Sequence, residues 1–283
     1  MLDYDNLCLC CGTIAQASFR EVVESAAAGG FRSISLWPQH YNRGRRDGLS
    51  DAGMRSMLEH HGLVVTELDA LLTWLPGSRP ATEADTSGEG FVSVGEDFFY
   101  HIADSLGGRH LNLAQAFGPR LETDVLAEAF AGVCDRAAEH GLLVTLEFLP
   151  WSGIPDMETA LQIVRRADRP NGGVMLDTWH HFRSGHGAEA LMKVPGAEIK
   201  AIQFNDAAAE PAQDIVNETM HGRLLPGEGA IDLVGILQAL DASGCQAPIG
   251  VEVFSDDLNA LTPTMAAVRA GDAARAVLAR ARR

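Results

Sequence analysis

A chain of 283 residues has room for two ordinary domains or one large α/β barrel, and 46% hydrophobic with 21% charged residues excludes a disordered chain. Its 38 acidic against 22 basic residues leave a formal charge of −16, which argues against DNA, RNA or an anionic membrane surface as partner. No apolar run approaches the roughly 20 residues of a membrane-spanning helix, and MLDYDNLCLCCG lacks the basic start of a signal peptide, so the expected location is the cytoplasm.

Short apolar runs alternate with helix-patterned segments along the whole chain. LCLCCG (7–12) reads as the first strand and SFREVVESAAAGG as a helix opened by Ser18 and closed by a glycine pair. Strand RSISLW (32–37) precedes helix SDAGMRSMLEHHG, capped by Ser50 and stopped at Gly62. VVTELDALL (64–72) and HLNLA (110–114) are the third and fourth strands. PGSRPATEADTSGEG (76–90), rich in Pro, Gly, Ser and Thr, reads as an irregular loop at the mouth of the fold. ETDVLAEAFAGVCDRAAEHG carries a stripe of Val125, Leu126, Ala129, Phe130, Val133 and Ala137. Strand GLLVTLEFLP (141–150), helix PDMETALQIVRRAD, strand GGVMLD (172–177) and strand KAIQFND (200–206) follow, then helix IDLVGILQALDASG, strand PIGVEVFS (248–255) and a last helix from Thr264.

Strand then helix about eight times, with near-continuously apolar strands, predicts a single α/β domain over 1–283, a (β/α)8 TIM barrel. The competing doubly wound open sheet would carry a phosphate-binding glycine motif, and neither GxGxxG after the first strand nor GxxxxGK[ST] occurs. Cysteines at 8, 10, 11, 134 and 245 form no CxxC pair, and Cys8 and Cys10 alternate with Cys11 along a strand, which fits buried free thiols better than a zinc site or disulfide.

In such a barrel the chemistry sits at the C-terminal strand ends. Polar residues late in apolar runs are Glu147, Asp177, Gln203 and Glu252, each on its own strand. Carboxylates gathered in an apolar setting repel one another unless a cation lies between them, and an all-oxygen donor set suits Mn2+ or Mg2+ before Zn2+ or Co2+. The alternative is that each pairs with an arginine or caps a helix, as Asp177 would before TWHHF.

LEFLP, MLDTWHHFRSG, IQFNDA, RLLPGEG (223–229) and GVEVFS together resemble the sugar phosphate isomerase/epimerase superfamily. These are the xylose isomerase-like TIM barrels, which include endonuclease IV, tagatose 3-epimerase, inosose isomerases and dehydratases, and 3-dehydroshikimate dehydratases. The resemblance runs from about Gly141 to Ser255; the first half matches in barrel pattern alone. It implies that Glu147, Asp177, Gln203 and Glu252 bind one divalent metal, with Glu147 and Glu252 moving the substrate proton. Gln203 stands where most epimerases of the family have histidine, a substitution shared with the dehydroshikimate dehydratase branch. His180, at the D-x-x-H position, would be catalytic, facing the substrate to hydrogen-bond its oxygen or shuttle a proton, or else would orient Asp177 or face solvent. Arg223 would anchor the substrate or brace its loop, with His221 beside it. Trp37, Trp74, Trp151 and Trp179 fall near strand ends, where they suit either an aromatic wall or the core. His40 follows the second strand at the active end and His110 starts the fourth at the other; Glu67 faces the cavity or a surface ion pair.

The implied activity is isomerisation or epimerisation of a polyol or keto-sugar in carbohydrate metabolism, through a metal-stabilised enediolate. Loss of a β-hydroxyl instead would make the protein a dehydratase, a lyase of a cyclic keto-polyol. An endonuclease-IV-like activity conflicts with the charge of −16, and a non-catalytic barrel subunit remains the other class. Barrels of this kind commonly form homo-oligomers.

Overall fold

A computed structural model describes residues 2, 5–78 and 94–283. Eight parallel strands close into a barrel in chain order: β1 (Cys8–Leu9), β2 (Ser33–Leu36), β3 (Val64–Leu71), β4 (His110–Ala114), β5 (Leu143–Glu147), β6 (Gly172–Asp177), β7 (Ile199–Phe204) and β8 (Ile249–Val251). The closed barrel bears out the predicted fold. Strand residues are buried almost throughout, as expected for a sheet whose outer face is covered by helices and whose inner face fills itself.

Capping chemistry sets where the helices begin. Ser18 forms a reciprocal box with Glu21, while Ser50 accepts from the backbone N–H of Gly53. In the helix Thr123–Glu139 the buried face is Leu126, Ala127, Phe130, Ala131, Val133, Cys134 and Ala137; Val125, assigned to the stripe, is 39% exposed.

Differences from the sequence reading lie at the element ends. The first strand stops at Leu9, and Cys11–Ile14 turns into a 3-10 helix, so Cys11 does not alternate along a strand with Cys8 and Cys10. All five cysteines are free and buried. Helices at Pro38–Arg46, Glu96–Leu106, Thr178–Arg183 and Ile215–His221 add to those expected. The predicted loop at 76–90 lies outside the described residues beyond Ser78. Among the described residues no helix is long and apolar enough to cross a membrane.

Candidate active site

β6 ends on Asp177, which also caps the helix Thr178–Arg183. Its Oδ1 accepts from the backbone N–H groups of Trp179 (2.7 Å) and His180 (3.0 Å). Oδ2 accepts from Arg223 Nη1 (2.7 Å) and Asn205 Nδ2 (3.1 Å). The helix cap and the site are therefore one residue. Burial works to raise the Asp177 carboxyl, but Arg223, His180 and the backbone donors together hold it below the ordinary carboxylate range.

Glu147, at the end of β5, has its Oε2 held by Asn112 Nδ2 at 2.8 Å, and its Oε1 lies 3.4 Å from His180 Nε2. The same Asn112 nitrogen donates to Asp69 Oδ1 at 2.9 Å, and Asp69 Oδ2 accepts from Trp37 Nε1 at 3.1 Å. Burial and the neighbouring Glu147 push Asp69 up to about 7, against the pull of its two donors.

Glu252 follows β8 directly. Its Oε2 is 3.6 Å from Arg223 Nη1, and its Oε1 has no hydrogen-bond partner. Burial, then the charges of Asp69, Glu147 and Asp177, raise it well above the usual range despite Arg223. Gly12 makes the approach of this chain segment feasible: a Cβ there would stand 2.9 Å from Glu252 Oε1 and 2.7 Å from the Phe254 ring.

Beneath these groups Gln203 Nε2 donates to Glu67 Oε1 (2.9 Å), and Glu67 Oε2 lies 3.1 Å from His110 Nε2. Glu67 is thus inside the barrel and in no surface ion pair; burial and Asp69 raise its pKa well above normal. His110, also interior, has its pKa lowered to about 3, by burial first and Arg109 second. Gln203 Oε1 has no partner.

A cavity of about 280 Å3 opens over this cluster, with Asp69, Glu147, His180, Arg223 and Glu252 at its polar end and Leu72, Phe117, Leu149, Trp151, Val216 and Met220 along its apolar walls. Of the four tryptophans only Trp151 lines it. Trp37 stands behind Asp69, stacked on Phe254, and Trp179 is fully buried beneath the Arg223 guanidinium, 5.5 Å from its ring centroid. Trp74 donates to the Ala114 carbonyl. His40 is wholly buried in the helix after β2. His221 ends its helix in solvent, bonded to Asp256, and does not reach the cavity. Arg223 does both things expected of it: it lines the cavity and is braced, by Thr219 through Nε and Nη2.

Asp69, Asn112 and Thr219 escaped the sequence reading. Asp69 was visible in principle, since it lies two residues after Glu67 on the same face of β3. Asn112 and Thr219 are uncharged and carry no such mark.

The cluster suits a divalent cation on two grounds. Asp69, Glu147, Asp177 and Glu252 converge with one guanidinium as their fixed positive charge, and two buried oxygens, Gln203 Oε1 and Glu252 Oε1, lack any donor. Among the described residues, Glu147, Asp177 and His180 form the group whose ligand atoms all lie within 4.8 Å of one another.

Comparison with known proteins agrees with this architecture. Over 146 residues the chain is 36% identical to a 3-dehydroshikimate dehydratase of Pseudomonas aeruginosa, covering 51% of this chain and 23% of that protein. Over 141 residues it is 33% identical to an inosose isomerase of Bacillus subtilis, covering 49% of this chain and 48% of that protein. The matches thus span about half or less of these relatives' own lengths. The solved IOLI protein, which binds a zinc atom, superposes with a TM-score of 0.82 at 21% identity over 97% of this chain and 98% of that one, a likeness of fold. The model of the xylose isomerase-like TIM barrel family matches residues 23–279, and the chain belongs to that family.

Proposed function

We propose that the protein is a divalent-metal-dependent enzyme that isomerises or epimerises a small sugar-like carbonyl compound by moving a proton on the carbon beside the carbonyl. The observation that carries this reading is that Glu147 and Glu252, the latter with a donorless Oε1, line the polar end of the cavity, with Asp177 close to Glu147 and His180 and Gln203, its Oε1 also donorless, beside Asp177 on β7. Glu147, Asp177, Gln203 and Glu252 would hold the cation, with His180 in reach of Glu147 and Asp177. Oxygen donors favour Mn2+ or Mg2+; the zinc of the IOLI protein supports a metal in this fold. Such an ion, when bound, offsets the carboxylate charge and polarises the substrate carbonyl.

The remaining work falls to side chains of this chain. Glu147 is fixed through Oε2 by Asn112, which leaves Oε1 facing His180 and the cavity. Glu252 keeps Oε1 free at the same cavity. Two carboxylates on one cavity, Glu147 with Oε1 toward His180 and Glu252 with Oε1 unpartnered, are suited to take a proton from one position of a substrate and return one at another. Arg223 keeps Asp177 ionised and in place.

A second reading, dehydration, is favoured by Gln203 in the position where most epimerases have histidine and by the 36% identity to a 3-dehydroshikimate dehydratase. Metal analysis of protein purified without chelator, followed by assay of an inosose and of 3-dehydroshikimate in deuterated water with added Mn2+, tests both. Isomerisation or epimerisation incorporates deuterium without new absorbance, whereas dehydration creates a conjugated ultraviolet chromophore. Glu147→Gln and Glu252→Gln are each expected to slow turnover by at least about 100-fold. Absence of bound metal, with turnover unaffected by either substitution, would sink the proposal.

A further inference from the structure

We infer that Glu67 is a positioning residue that orients the Gln203 side-chain amide, so that its oxygen rather than its nitrogen is presented to the metal. The inference rests on the metal reading above, and it concerns a residue outside the set that would touch metal or substrate.

A glutamine amide has two ends of nearly equal size and opposite character, one an acceptor and one a double donor. Only the oxygen ligates a cation; the NH2 end turned the same way would repel it. A histidine in that position always offers a ring nitrogen, whereas glutamine needs something to decide its orientation. Glu67 makes that decision from across the barrel, on β3 and 136 residues away in sequence, because its carboxylate accepts and draws the Nε2 end to within 2.9 Å. Gln203 Oε1 is thereby left as the buried end with no partner.

Glu67 is itself held. Its other oxygen lies 3.1 Å from His110 Nε2, both residues are almost completely buried, and His110 Nδ1 makes no hydrogen bond. One proton shared between His110 Nε2 and Glu67 Oε2 satisfies that contact whichever of the two carries it, and leaves Glu67 Oε1 an acceptor for Gln203. His110, Glu67 and Gln203 so form a chain with one unpartnered atom at each end, His110 Nδ1 and Gln203 Oε1, and the Gln203 end is in register with Asp177 of β6. Neither Glu67 nor His110 lines the cavity.

Mn2+ binding, followed by the electron paramagnetic resonance signal of the free ion, separates this role from a merely structural one. Glu67→Gln keeps the shape and accommodates either orientation of Gln203. It is expected to weaken Mn2+ binding by about 10- to 100-fold, the usual size of an outer-shell effect, with the thermal midpoint unchanged or raised. Gln203→Ala is expected to weaken binding at least as much, and Glu67→Gln added to Gln203→Ala to change it by less than about twofold, since the coupled pair is already broken. The inference is overturned if Glu67→Gln binds Mn2+ like wild type while Gln203→Ala does not, or if the two losses multiply. If the wild-type protein binds no Mn2+, or Gln203→Ala leaves binding intact, it is the metal assignment of Gln203 that fails.

Discussion

One neutral amide holds two carboxylates apart at the heart of the site. Asn112 Nδ2 spends one hydrogen on Asp69 and the other on Glu147, and its Oδ1 accepts from Thr145 Oγ1 at 2.8 Å, so neither its position nor its orientation is free. Asn112→Leu keeps the volume and removes both donors, leaving two buried carboxylates face to face. The expected outcome is a loss of about 3 kcal/mol in unfolding free energy, measured by urea denaturation, and a fall of about 100-fold or more in turnover as Glu147 loses its anchor. A substitution that proved neutral in both measurements would show that the carboxylates find other partners. Asn112 was not legible in HLNLA. Glu147 is conspicuous in LEFLP because a charge breaks an apolar run, whereas an asparagine that donates to two distant acids looks like any polar residue in a strand.

Between residue and barrel, the segment 223–231 is clamped by one side chain. Asp206 accepts four backbone N–H groups: Ala207 and Ile231 on Oδ1, Gly227 and Gly229 on Oδ2, all at 2.9–3.0 Å. Its own backbone exchanges hydrogen bonds with Leu224 at 2.9 Å in both directions, and Arg223 N–H bonds the Phe254 carbonyl. A Cβ on Gly229 would come within 2.3 Å of both Asp206 Oδ1 and the Ala207 carbonyl, which requires glycine there. The clamp sets the height at which Arg223 meets Asp177. Asp206→Ala is therefore expected to lower stability by about 2–4 kcal/mol, measured by thermal and urea unfolding, and to lower kcat/KM through displacement of Arg223. Full retention of kcat/KM in the folded variant would separate the turn from the site. IQFND and RLLPGEG both stood out as motifs, yet nothing in either shows that the aspartate of one ties down the glycines of the other, because the contact spans 21 to 25 residues.

For the molecule as a whole, buried histidines link stability to acid. Burial, then the charge of Arg43, lowers His40 to about 3, against about 6.5 for an unfolded histidine. Between those values the unfolded chain binds a proton that the folded one refuses, so the His40 contribution is intact above about pH 6.5 and lost as pH falls toward 3. Asp69, raised to about 7, acts in the opposite sense over part of that range, so the term is isolated by difference. From pH 6.5 to 4.5 wild type should lose about 2 kcal/mol more than His40→Leu, at roughly 1.4 kcal/mol per pH unit. Parallel stability curves for the two proteins would refute this. The barrel itself was readable because eight apolar runs recur at regular intervals. What was missed has a physical cause: PQHYNRGRR, the helix Pro38–Arg46, buries His40, Tyr41 and Gly44 rather than an aliphatic stripe, and TWHHFR is helical because Asp177 caps it.

The closure of the barrel is narrow. β1 meets β8 through two residue pairs, Cys8 with Gly250 and Leu9 with Val251. Thr13 extends the seam with its hydroxyl, donating to the Val251 carbonyl and accepting from Val253 N–H. Glu252 sits between those two residues, immediately after the last strand to be synthesised. A nascent chain that has emerged as far as Gln203 already carries Glu147, Asp177 and Gln203, but its fourth ligand does not yet exist. Only when the final strand docks against the first is the proposed ligand set complete, so the chemistry becomes available in the same event that joins the two ends of the sheet.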